Sequence, residues 1–263
     1  MKNLKDKVWL LGETPGSHHN VTEYNLPGVN TMTPMEGLEF LGIRNLCRMK
    51  MRVDKGLTYM EDPYIVGDAM DKCCLSLLGS GEWRPDGGKI DDMDEILAVA
   101  KKDKRIVAAI NDDFMCGDRP LIYTPEVLRQ QRETLHSALD RPLELWSVYY
   151  DRDLEKDVFA QSREFDVTTY WTWYSENLKD IEKSLQWARS LTKEGRVILG
   201  VYTYDYGNGC PIPDDLMKFQ LDFSYEKMLS GEIEGIMLNG SCNMDLGLSA
   251  TDITKQWLEA MTE

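Results

Sequence analysis

Histidine is scarce in this chain of 263 residues. His18, His19 and His136 are the three present, and they lack the mutual spacing of metal ligands. The six cysteines form no CxxC pair and no cysteine–histidine zinc pattern. The sequence therefore predicts no histidine-built zinc site, no metal and no cofactor. Positive charge is short too: Lys+Arg number 30 against Asp+Glu 45, a net charge of −15. A polyanion is repelled by nucleic-acid backbones and by anionic membrane surfaces, so neither is expected as a partner. No apolar run approaches the roughly 18 residues of a membrane helix. No Ser/Gly/Pro-rich linker interrupts the chain, which predicts one domain over residues 1–263. The first apolar run leads into Gly12-Glu13-Thr14-Pro15-Gly16, which has neither dinucleotide-binding nor P-loop spacing. The start, Met1 to Lys7, is short and charged and does not read as a secretion signal. That favours a cytoplasmic protein, and a periplasmic one fits if a signal peptide has been removed.

Hydrophobic residues make up 42% and charged residues 29%, the balance of a folded globular chain. Eight short, nearly continuous apolar runs recur: Val8–Gly12, Asn45–Met49, Cys73–Leu78, Ile106–Ile110, Leu143–Tyr150, Phe165–Trp171, Val197–Tyr202 and Ile233–Leu238. Runs of this length and composition suit strands buried on both faces, as in a parallel sheet. Helical patterns fill the gaps. Thr33-Pro34-Met35-Glu36 reads as a capping box opening a helix through Phe40. Apolar stripes at Met93–Ala100, Val127–Leu139, Leu178–Ala188 and Leu216–Phe223 follow, with a last helix at Thr251–Met261. Weaker helical patterns lie near Asp62–Asp71 and Asp153–Ser162. Eight strand–helix units in about 250 residues predict an α/β protein, a single (β/α)8 TIM barrel. Cys47, Cys73 and Cys74 fall inside strand runs and are expected to be reduced and buried.

A barrel gathers its chemistry on the loops that follow the strands. There the sequence places Glu13, His18 and His19; Lys50 and Arg52; Ser80, Glu82 and Trp83; Asp112 and Asp113; Tyr150 and Asp151; Trp171 and Trp173; Tyr204, Asp205 and Tyr206; and Asn239. Carboxylates and flat aromatic rings together suit a sugar, whose C–H face stacks on a ring while its hydroxyls reach polar groups. The candidate catalytic carboxyls are Asp112, Asp113, Glu13 and Asp205, of which one would hold a proton and another act as base or nucleophile. Crowded carboxylates push one another's pKa apart, so at least one of Asp112, Asp113 and Glu13 is expected to titrate high. Tyr150, Asp151, Trp171, Trp173, Tyr204, Asn239 and His19 are the candidate substrate-binding residues. Each has a plainer reading. Asp112 or Asp113 serves equally as a cap, Glu13 as an acceptor for its own loop, Trp171 as packing and Asp205 as a turn residue.

Several of these segments resemble a group of bacterial TIM-barrel proteins from polysaccharide degraders, described loosely as glycoside hydrolases or as hypothetical proteins. The segments are Met32-Thr33-Pro34, Asp112-Asp113-Phe114, Leu145-Trp146-Ser147-Val148-Tyr149, Trp171-Thr172-Trp173 and Tyr204-Asp205-Tyr206-Gly207. The resemblance implies a carbohydrate-active barrel, with Asp112-Asp113-Phe114 as its most suggestive acid pair and a small carbohydrate or glycan as partner. Two rivals remain on the residues alone. One is a sugar isomerase or epimerase, in which the carboxylates with His18 or His19 hold Mg²⁺ or Mn²⁺. The other is a sugar-binding barrel without chemistry.

Overall fold

Eight short strands run parallel because each is apolar on both faces and each is followed by a crossover that returns the chain to the same end. The computed structural model describes residues 4–20, 24–79 and 90–261, leaving aside the side chains at 19 and 20. The strands are β1 Val8–Gly12, β2 Asn45–Arg48, β3 Lys72–Leu78, β4 Ile106–Asn111, β5 Glu144–Tyr150, β6 Val167–Trp171, β7 Val197–Tyr202 and β8 Gly235–Asn239. They pair in sequence order, and β8 closes on β1 through Val8–Ile236 to Leu11–Asn239. The fold is thus a closed (β/α)8 barrel. Its helices are α1 Pro34–Leu41, α2 Met93–Lys102, α3 Arg119–Ile122, α4 Pro125–Ser137, α5 Phe159–Ser162, α6 Ile181–Leu191, α7 Asp214–Ser230 and α8 Ser249–Ala260. The weak helical pattern after β5 shrinks to the four residues of α5. That near Asp62 becomes a single 3-10 turn, Pro63–Ile65, capped by the Asp62 side chain. The Thr33 capping box forms as its residue types require: Thr33 Oγ1 accepts from the Glu36 amide, and Glu36 accepts from the Thr33 amide. Among the described residues no helix is long and apolar enough to cross a membrane.

The core has two layers. One lies between strands and helices and holds Val8, Leu10, Leu46, Leu75, Ala109, Tyr149, Tyr170, Leu199 and Leu238. The other fills the barrel with Trp9, Leu11, Cys47, Cys74, Ala108, Ile110, Trp146, Val148, Trp171, Ile198 and Met237. Successive residues of a strand alternate between the two layers. Cys47, Cys73 and Cys74 are fully buried, whereas Cys210 is exposed. A thiol reagent added to the native protein should therefore modify Cys210 first and the three strand cysteines only on unfolding, which mass spectrometry of the labelled peptides will read.

Barrel interiors mix large and small side chains, and here the indole of Trp171 lies across Gly200 on the neighbouring strand. A Cβ at position 200 would fall 2.0 Å from Trp171 Cδ2. Gly200→Ala is therefore expected to cost about 1–3 kcal/mol, as overpacking does, and Trp171→Leu in the same chain should recover part of it. Thermal melts of both check this; a Gly200→Ala protein melting with the wild type contradicts the contact.

Candidate active site

The inward register of each strand continues past its end, and that continuation builds the mouth. Trp9 and Leu11 lead to Glu13; Ala108 and Ile110 to Asp112; Trp146 and Val148 to Tyr150; Trp171 to Trp173; Ile198 to Tyr202 and Tyr204; and Met237 to Asn239. Glu13, Asp112, Tyr150 and Tyr202 are buried, while Trp173 stays partly open.

Asp112 is buried beside Tyr150. The Tyr150 hydroxyl donates to its Oδ1 at 3.4 Å, and Arg119 pins the backbone by donating to the Asp112 and Gly79 carbonyls at 2.9 and 3.0 Å. Burial, then the charge of Asp113, push the Asp112 carboxyl well above the usual carboxylate range; Arg119 opposes them and Glu13 adds to them. The expected high-titrating acid is therefore Asp112. Asp113 takes a left-handed backbone, φ 48°, which carries it out of the strand register, and it pairs with Arg152 at 3.5 Å. The Arg152 guanidinium lies over the rings of Tyr150 and Trp173, 4.4 and 4.9 Å from their centroids. Burial and the Asp112 and Asp113 charges raise the hydroxyl pKa of both Tyr150 and Tyr202, so both phenols keep their protons, and Tyr150 donates its own to Asp112.

Aromatic rings wall the rest of the mouth. Trp173 stacks on Tyr206 at 5.7 Å and meets Tyr150, Tyr202 and Tyr24 edge-on. Tyr24 belongs to the loop after β1, which is tied to the loop after β7: Tyr204 donates to the carbonyls of Tyr24 and Asn25 at 2.9 Å, and the Asn25 amide reaches Gly209. Beside this wall His18 places Nε2 3.0 Å from Glu13 Oε1 and Nδ1 3.1 Å from Tyr206 Oη and 3.3 Å from Cys242 Sγ.

Other candidates are placed differently. Asp205 accepts from the Ser175 hydroxyl at 2.5 Å and amide at 3.3 Å, and from the Asn208 amide and side chain at 3.0 and 2.9 Å. That full set of donors matches its turn reading: Asp205 fastens the β7 loop to the β6 loop. Asp151 does the same for the amides of Arg152, Trp173 and Tyr174 and for Asn177. Trp171 is 2% exposed and donates Nε1 to Thr169, so it is barrel packing below the mouth. Asn239 accepts from Asn243, and its carbonyl accepts from Thr203. Lys50 turns away from the barrel to Asp92 and Glu95 at 3.0 and 3.1 Å. The His19 side chain and Ser80, Glu82 and Trp83 lie outside the described residues.

Sequence reading missed Arg152, Tyr202, Tyr24 and Cys242 as mouth residues. Tyr202 was within reach of the period-two register; Cys242, 224 positions from His18, had no local signal. Glu13, His18 and Cys242 bring ligand atoms within 4.8 Å of one another, all three residues buried.

No protein-family model and no curated protein matches the chain. Among solved structures, the catalytic domain of a family 18 chitinase from the fern Peteris ryukyuensis aligns with a TM-score of 0.57 at 12% identity, over 97% of this chain and 99% of the other. The chain shares the barrel fold of that domain. A family 18 N-acetylglucosaminidase from Paenibacillus barengoltzii aligns over 95% of this chain and 99% of its own at 0.53 and 12% identity. The tryptophan synthase complex from Pyrococcus furiosus also aligns, at 0.50 and 12% identity over 98% of each chain. Likeness at this level is a likeness of fold, and function rests on the site.

Proposed function

We propose that this barrel is a glycoside hydrolase in which Asp112 donates the proton to the leaving glycosidic oxygen. The observation that carries the reading is a buried carboxyl, bonded by the Tyr150 hydroxyl in an aromatic mouth, whose pKa burial and neighbouring acids push well above the usual carboxylate range. Glycoside cleavage needs two carboxyl groups in opposite protonation states, one acid and one base or nucleophile. Asp113, paired with the Arg152 cation, is the second carboxylate. Trp173 supplies the stacking face for a sugar ring and Tyr150 a neutral hydroxyl. Asp205 and Asp151, already saturated by amide and hydroxyl donors, hold the loops in place. Two of the structures that share the fold are a chitinase and an N-acetylglucosaminidase, which makes N-acetylglucosamine oligomers a natural first member of a test panel.

The test is release of reducing ends from a glycan panel by wild type, Asp112→Asn and Asp113→Asn, with glycan binding followed by calorimetry. The expected result is cleavage by the wild type and binding without cleavage by Asp112→Asn. No cleavage of any panel member by the wild type, or full turnover by Asp112→Asn, overturns the assignment.

A further inference from the structure

The hydrogen-bond network around His18 leaves one strong acceptor unmet. Asn243 donates its side-chain amide to Tyr206 Oη at 2.8 Å, which leaves the phenolic proton to be donated elsewhere. Glu13 Oε1, 3.0 Å from His18 Nε2, takes the proton of that nitrogen. Nδ1 then carries a single lone pair, which the Tyr206 hydroxyl meets at 3.1 Å, and the Cys242 thiol lies 3.3 Å from it with the Asn243 side-chain oxygen, 3.7 Å away, as its other acceptor. Among the described residues no well-formed hydrogen bond reaches Glu13 Oε2, although Glu13 is only 2% exposed and the Cys242 thiol lies against its carboxyl. A buried carboxylate oxygen left without a partner costs free energy unless something positive meets it.

We propose that Glu13, His18 and Cys242 form a binding site for a soft divalent cation of the zinc class, at the wall of the barrel mouth. A dication removes this mismatch. It takes a ring-nitrogen lone pair of His18, replaces the thiol proton on Cys242 Sγ, and meets the Glu13 carboxylate. The proton leaves to solvent, and the thiolate and carboxylate then balance the two positive charges. Cys, His and carboxylate are the ligand types zinc prefers, and a thiolate disfavours Mg²⁺ and Ca²⁺, which take oxygen ligands. The separation of Sγ and Nδ1, 3.3 Å, is close to the roughly 3.5 Å between sulfur and nitrogen in a tetrahedral zinc shell with Zn–S near 2.3 Å and Zn–N near 2.0 Å. A site of one histidine and one cysteine far apart in sequence is invisible to spacing rules, which is why the chain shows no metal motif.

The inference does not depend on the glycosidase reading, and the test keeps the two apart by using the Asp112→Asn chain, in which the proposed acid is absent. Chelator-treated protein is titrated with Zn²⁺ by calorimetry and with Co²⁺ by absorption. The expected results are one Zn²⁺ per chain, a Zn²⁺-dependent rise in melting temperature, and a thiolate-to-cobalt charge-transfer band. Cys242→Ser should abolish the band and weaken Zn²⁺ at least tenfold, and His18→Asn should weaken it likewise. Circular dichroism confirms which variants fold, and Glu13→Gln, nearly isosteric, serves if either of the others does not. Absence of stoichiometric Zn²⁺ binding, or binding indifferent to these substitutions, overturns the proposal and leaves a purely hydrogen-bonded cluster.

Discussion

Asp112→Asn is expected to lower turnover on a cleaved glycan by a factor of about 10²–10⁴, the range for loss of a general acid, while the fold stays intact. The amide keeps the shape of the carboxyl and its contact with Tyr150 but has no proton of suitable acidity to give. The pH dependence should follow. Because Asp112 must be protonated to act, wild-type activity falls on the alkaline side as that carboxyl ionises. Stability carries the same signature. The folded pKa of Asp112 lies above its ordinary value, so between the two the native state holds more protons than the unfolded chain. The stabilisation is complete below the unfolded pKa and is lost as pH rises through the raised one. Asp112→Asn lacks this dependence, so it should melt above the wild type at neutral and alkaline pH, with the difference closing toward pH 3. Melting curves across pH, set beside the rate profile, check both; a variant that loses stability at neutral pH contradicts a buried, like-charged carboxyl.

Arg48→Ala should be the most destabilising single change outside the mouth. The Arg48 side chain is wholly buried, donating Nε to Asp62 at 2.8 Å and Nη2 to Asp54 at 3.1 Å, and both carboxylates are buried with it. Arg48 also donates to the Met49 carbonyl at 2.5 Å and to Thr14 Oγ1 at 3.0 Å, and the Thr14 hydroxyl bonds Asp54 in turn. Asp54 caps the turn after β2 by accepting from the Met51 amide at 2.7 Å. Removing the guanidinium strands two carboxylates in a dry interior, a loss of about 3–5 kcal/mol. For a chain of this size that is a fall in melting temperature on the order of 10 °C. Combining Arg48→Ala with Asp54→Asn and Asp62→Asn should restore part of the loss, since the damage comes from unpaired charge. An Arg48→Ala protein that melts within a degree of the wild type contradicts the network.

The eight strands and the long helices were legible because both depend on local periodicity. A strand buried on both faces needs an unbroken apolar run, and Thr33 with Glu36 closes its capping box within four residues. The carboxyl ends of the strands were legible for the same reason, and Glu13, Asp112, Tyr150 and Trp173 follow once the inward register is extended by one step. What the chain could not show by itself is what each polar group meets. Asp205 and Asp113 are the same residue type at equivalent strand ends. Amides and a hydroxyl saturate Asp205, and Arg152 faces Asp113. Those partners come from other loops, so the difference exists only after the barrel closes.

The cluster of Glu13, His18 and Cys242 marks the limit most clearly. Sequence by itself determined the alternation of strands and helices, the absence of local metal motifs, and which residue types stand at the strand ends. Closure of β8 onto β1 alone decided that Cys242 lies beside His18. Periodicity acts over a few residues through backbone geometry, whereas the meeting of two chain ends is set by the tilt and register of all eight strands together.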